Sequence, residues 1–198
     1  MKYKFGFIFL TLTFFWTSHL TAQNSIQNDS TTICKTVSGF FEWYIDAIKQ
    51  KKQTEYQPTF VESESGMTTL NFSKYFANLV SQGFSDTLII KERLSYQSCI
   101  ENLEKIKYSD FNSNVTDLDD FEKIECDFSN YYRWTGGQEP IDGIRIKTVK
   151  LINSFSAIVI IEYFDFNTKE KKNFYWGRNT LTMTKPRNTW QIDNINWK

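Results

Sequence analysis

Histidine is almost absent from this chain of 198 residues: its one copy, His19, falls in a stretch that reads as a removable leader. A mature chain without imidazole lacks the side chain most used for proton transfer near neutral pH, and the commonest metal ligand. Ser–His–Asp and Cys–His hydrolases, His-ligated zinc and haem–His ligation are thereby disfavoured. Cysteine is scarce too, at three copies, and no pair has the Cys-x-x-Cys spacing of a redox or zinc site. Basic excess is missing, which argues against a nucleic-acid partner and against docking by overall charge on anionic lipid. No apolar run after the leader is long enough to cross a bilayer. No internal repeat or low-complexity tract interrupts the chain.

The leader is residues 1–22. Lys2 and Lys4 form a basic start, and Phe5 to Trp16 form an apolar core of about 12 residues, within signal-peptide length. Ala22 offers a small residue before a cut, although Leu20 two positions earlier is larger than such sites prefer. An uncleaved anchor is the alternative. Cleavage takes 23 basic residues to 21 against 23 acidic ones, a net charge of about −2. The expected product is an exported bacterial protein, periplasmic or secreted, with no transmembrane anchor after cleavage. Such a compartment permits disulfides. A Cys99–Cys126 bridge would close about 27 residues and add roughly 3.5 kcal/mol on the chain-entropy model. The plainer alternative is three buried, reduced thiols.

What is abundant is aromatic: 17% of the chain is Phe, Trp or Tyr. Rings on that scale must largely form a core, with some left to line a ligand cavity. Residues 23–33 are polar and read as a flexible leader to one α+β domain, 34–198. Val37, Phe40, Phe41, Tyr44, Ile45 and Ile48 recur on one helical face, predicting a helix over 32–52 that starts at a Thr31 or Thr32 cap. Residues 56–67 read as a short edge strand or loop. A second helix is expected over 71–82, stopped by Gly83. A third, capped by Ser85, reaches about 107 with a break near Ser95. Residues 108–143 show no periodicity. The last third reads as consecutive antiparallel strands, 144–152, 155–164, 173–184 and 189–197, with turns at Asp165–Lys172 and Pro186-Arg187-Asn188. The expected class is α+β, with N-terminal helices packed on a curved antiparallel sheet.

Val37-Ser38-Gly39-Phe40-Phe41-Glu42-Trp43-Tyr44, the Asp127-Phe128 step and the closing Trp190-Gln191-Ile192-Asp193 strand resemble the nuclear-transport-factor-2-like fold. Within that fold the chain is similar, over roughly residues 34–198, to an exported bacterial family, domain of unknown function 3828. The resemblance implies a cone-shaped cavity between sheet and long helix, and no reaction. Fold does not dictate function.

Three readings of function follow. The favoured one is a non-catalytic binding or accessory module of the cell envelope, without a cofactor. Its partner would be a small molecule or another protein, and its candidate site is Trp43, Tyr44, Asp127, Tyr132, Trp134, Trp176 and Arg178, where aromatic walls and one cation would suit a sugar, an aromatic metabolite or a peptide. Gly177 within a strand marks a bulge between Trp176 and Arg178. The second reading is a small isomerase- or hydrolase-like enzyme. It would use a carboxylate, Asp46 or Asp127, with a donor among Tyr44, Tyr131, Tyr132, Tyr163 and Tyr175. The third is an immunity or inhibitor protein for an exported toxin. The acidic run Asp117–Glu122 lacks EF-hand spacing and reads as a solvated loop, with no metal site expected. The two-sided apolar strand 155–164 is compatible with a homodimer.

Overall fold

The computed structural model describes the backbone of residues 6–197 and the side chains of 27–128 and 130–196. The signal-peptide expectation therefore falls outside the described residues, apart from helical backbone from Gly6 onward. Among the described residues, seven α-helices precede the main sheet: α1 (Gly6–Lys49), α2 (Gln53–Tyr56), α3 (Ser73–Ser81), α4 (Asp86–Leu94), α5 (Gln97–Leu103), α6 (Tyr108–Asn114) and α7 (Leu118–Lys123). A two-stranded hairpin, β1 (Thr59–Glu62) and β2 (Thr68–Asn71), sits between α2 and α3. A four-stranded antiparallel meander closes the chain: β3 (Gly143–Asn153), β4 (Ser156–Asn167), β5 (Lys172–Thr184) and β6 (Gln191–Trp197). The class is mixed α+β.

The apolar face read in the sequence for α1 is the buried one. Val37, Phe40, Phe41 and Tyr44 have no exposed surface, and Ile45 and Ile48 are nearly as buried. The Phe41 ring meets Tyr163 of β4 at 6.2 Å. The start of the helix differs from expectation. Thr31 and Thr32 do not cap it; their hydroxyls donate to the carbonyls of Gln27 and Asn28, one turn back inside a continuous helix, each at 2.9 Å. Residues 23–33, expected as a flexible leader, are likewise helical. Ile33 is fully buried, and Asp29 accepts from Lys185 Nζ at 2.6 Å and Trp190 Nε1 at 2.9 Å. Those two bonds tie the polar stretch to the far end of the chain.

The helix ends in a reversed turn, with Lys52 N–H on the Ala47 carbonyl and Lys51 in the left-handed region at φ 55°. The Ser85 cap is real: its hydroxyl accepts from Leu88 N–H at 3.0 Å, and the helix it opens breaks at Ser95. Residues 108–143, unpatterned in the sequence, contain α6, α7 and a 3-10 turn at Asp127–Ser129. Their helices are too short to show a period.

In the meander, Ala157, Val159, Ile161 and Tyr163 of β4 face the core with Leu181 and Met183 of β5. Ile158 and Ile160 face outward and are half-buried, whereas Phe155, read as continuing the inward row, is 64% exposed just before the strand starts. Two bulges decide which side chains of β5 and β6 face the core. One lies at Gly177 (φ 60°), where Glu162 pairs with Arg178 but Tyr163 pairs with Trp176. The other lies at Asp193, which lets both Ile192 and Ile195 point inward.

Candidate functional site

Only part of the aromatic cluster anticipated from the sequence converges. Tyr44 and Trp134 meet in the core, where the Trp134 backbone N–H donates to Tyr44 Oη at 3.3 Å. Phe40 lies edge-on to Trp134 at 6.1 Å, and Trp43 flanks Tyr44 at 6.3 Å. Tyr132 is half-buried against the same core, and its N–H donates to the Gly137 carbonyl at 2.7 Å. Burial drives the Tyr44 phenol well above its ordinary range, opposed by the Trp134 hydrogen bond.

Trp176 and Arg178 do not act together. Two residues apart on a regular strand, they would share a face. The bulge at Gly177 breaks that alternation. Trp176 turns to the inner face beside Tyr163, at 5.5 Å between rings, and its indole donates to Asp165 at 2.7 Å. Arg178 turns outward and donates to Glu162 at 3.1 Å. Asp127 begins the 3-10 turn and is exposed. Asp46 is exposed as well, on the rim of a cavity of about 370 Å³ between α1 and β3 that also holds the Lys49–Asp142 pair.

The buried carboxylate among tyrosines does exist, at a residue that sequence reasoning missed. Glu92 of α4 is 1% exposed. Its Oε1 accepts from Tyr75 Oη at 2.8 Å and Tyr96 Oη at 2.9 Å, and Arg133 donates to both oxygens at 2.8–3.1 Å. Burial works against the Arg133 charge, but the Glu92 carboxylate more than offsets it and holds the guanidinium above its ordinary range. Burial also raises both phenols, and the adjacent carboxylate adds to it. Both carboxylate oxygens, either of which would have to take a substrate proton, already have protein donors. This geometry makes a structural tie among α3, α4 and the loop after α7. One sequence signal could have revealed it: Glu92 stands four residues from both Leu88 and Tyr96, a charge on the apolar stripe.

A different region has the shape of a site. An open groove of about 490 Å³ runs between α2 and β1 on one side and α6 and α7 on the other. Its floor is aromatic: Phe60 of β1 lies 4.7 Å from Phe111 and 5.7 Å from Phe121, and also stacks at 5.6 Å on Phe128, which is not part of the lining. Around it stand the carboxamides of Gln53, Gln57, Asn112 and Asn130, the hydroxyls of Thr54, Thr59 and Tyr108, and the apolar Val115 and Leu118. None of the 13 lining residues is charged, in a chain that is 23% charged. Asn130 donates through Nδ2 to the Leu118 carbonyl at 3.3 Å, while its Oδ1 is buried with no hydrogen-bond partner among the described residues. A buried acceptor without a donor costs about 1–3 kcal/mol.

The acidic run beside the groove is occupied with its own helix. Asp117 caps α7 by accepting from Asp120 N–H at 2.9 Å, and Asp120 pairs with Lys123 at 2.9 Å. Among the described residues no group of three His, Cys, Asp or Glu side chains is placed to hold a metal ion. Cys99 of α5 and Cys126 form a disulfide, and Cys34 is free and half-buried on α1. No helix among the described residues is long and apolar enough to cross a membrane. Comparison with protein-family models, with curated proteins and with solved structures finds no match to this chain.

Proposed function

We propose that this protein is an exported, non-catalytic binding module of the bacterial envelope, and that its ligand is a small neutral saccharide held in the groove over Phe60. The observation that carries this reading is the lining itself. An apolar floor of rings suits the C–H face of a sugar, and a rim of carboxamides and hydroxyls suits its hydroxyl groups. The absence of charge in the groove argues for an uncharged ligand. The Cys99–Cys126 disulfide supports an oxidising compartment. The order of elements, a long first helix and a final four-stranded meander, supports a place near the nuclear-transport-factor-2-like folds.

Side-chain amide resonances test the ligand. Titration with maltotriose, cellotriose and chitotriose should move the Asn112 and Asn130 amide signals for at least one sugar at millimolar concentration or below. Asn112→Ala, at an exposed position, should weaken that binding about tenfold without changing thermal stability. No movement of these signals up to about 10 mM of any of the three sugars would remove the saccharide reading.

A further inference from the structure

The β4–β5 hairpin outruns the sheet that carries it. Among the described residues β6 pairs with β5 as far as Asn179, and β3 pairs with β4 as far as Phe164. The β4–β5 ladder continues through Asp165↔Phe174, Phe166↔Asn173 and Asn167↔Lys172. About 20 Å of β5 therefore lies beyond its last contact with β6. The root of this ribbon is fixed, since Phe166 N–H donates to Asp142 Oδ2 at 2.9 Å. From that bond outward the rings stand in solvent: Phe174 is 62% exposed and Phe166 47%.

Directly opposed residues share a face, so Phe166 lies on one side of the ribbon and Phe174 on the other. The turn between them carries Lys169, Lys171 and Lys172. Lys172 pairs with Glu170, and Arg145, Lys147 and Arg178 gather on Glu162 at the ribbon's base. With the Lys49–Asp142 pair at the root, seven basic residues face four acidic ones, Asp142, Asp165, Glu170 and Glu162, around this ribbon, in a chain whose overall charge is near zero. The turn itself carries three lysines against Asp165 and Glu170, a local basic excess.

We propose that this hairpin tip docks the protein on an anionic lipid surface. Rings on both sides of a projecting ribbon can enter the headgroup boundary together, while the lysines behind them meet lipid phosphates. Lysine stems also reach past the rings to keep their charge in water. Two rings and three lysines predict reversible attachment that is sensitive to salt and to lipid charge.

Amide hydrogen exchange on the full chain reads the tip directly, independent of any other membrane-seeking segment. Vesicles of phosphatidylcholine containing about one third phosphatidylglycerol should slow exchange of residues 165–174, and phosphatidylcholine alone should not. Phe166→Ser with Phe174→Ser should abolish that protection, and Lys169→Glu with Lys171→Glu should reduce it about tenfold in apparent affinity. Both pairs are exposed, so an unchanged thermal midpoint shows that the fold survives. Unchanged exchange at 165–174 on anionic vesicles overturns the proposal. So does protection that rises with protein concentration in the absence of lipid, which would make the tip a contact between two copies.

Discussion

Glu92 shows how much one side chain can organise. Its carboxylate has left water entirely and is held by two phenols and a guanidinium that is itself 21% exposed. Removing one partner of such a pair is costlier than removing both, because the survivor remains in low dielectric without compensation. Glu92→Gln should lower the unfolding free energy by about 3 kcal/mol in urea titration. Replacing both residues, Glu92→Leu with Arg133→Met, should recover most of that loss. A double variant as unstable as the single would mean that the phenols, and not the ion pair, set the cost. The sequence offered only the charge on the apolar stripe as a signal, because a lone glutamate in a helix is ordinarily solvated and its three partners come from α3, the start of α5 and a loop 41 residues away. By contrast Gly177 was legible, since a glycine inside an otherwise β-prone run commonly marks a bulge or a close backbone approach. The consequence of its bulge was not legible. A register shift that sends Trp176 inward and Arg178 outward is decided by the partner strand.

Among elements, the legible ones were those whose own residues carry a period or a stop. The four strands of the meander lie within a few residues of their expected limits, because apolar runs alternate with polar turns at Asn167–Lys172 and Pro186–Asn188. Helix α3 stops where Gly83 takes φ 84°. Helix α1 stops without a glycine, at Lys51, so nothing in the sequence marked the left-handed residue there. Helices α6 and α7 span seven and six residues, and only Phe111 of α6 is buried, too little for a stripe. The groove was hidden for the same reason, since its walls come from these short helices and from α2. What holds that irregular region is covalent. The Cys99–Cys126 disulfide closes 27 residues that contain α6 and α7, removing loop entropy from the unfolded chain. Cys99→Ala with Cys126→Ala should cost about 3.5 kcal/mol. Thermal unfolding with and without reductant measures it, and a midpoint unmoved by reductant would mean that the thiols are not joined in solution.

For the whole molecule, pH acts through two populations of groups at opposite ends of the scale. The Arg145 hydrogen bond holds Glu162 at about 2, with help from Arg178. The Lys123 contact and the Thr116 backbone N–H hold Asp120 at about 2. Lys185 and Trp190 lower Asp29, and the Phe166 N–H with Lys49 lowers Asp142. A carboxylate whose folded pKa is depressed contributes stability that is complete above its unfolded pKa and disappears as pH falls toward the folded one. The acid limb should therefore fall between about pH 4.5 and pH 2. Tyr44, Tyr75, Tyr96 and Tyr163 behave in the opposite sense. Burial raises all four phenols, so the folded state keeps protons that the unfolded state releases, and stability falls as pH rises above about 10. These four belong to different parts of the fold, α1, α3, the start of α5 and β4, and none can ionise without opening the shared core. Phenolate absorbance should consequently rise in two stages. The buried four should appear together, as the later stage, in step with loss of helical circular dichroism. A single smooth titration centred near pH 10 with the fold intact would mean that these rings reach water, and that the core is looser than its burial indicates.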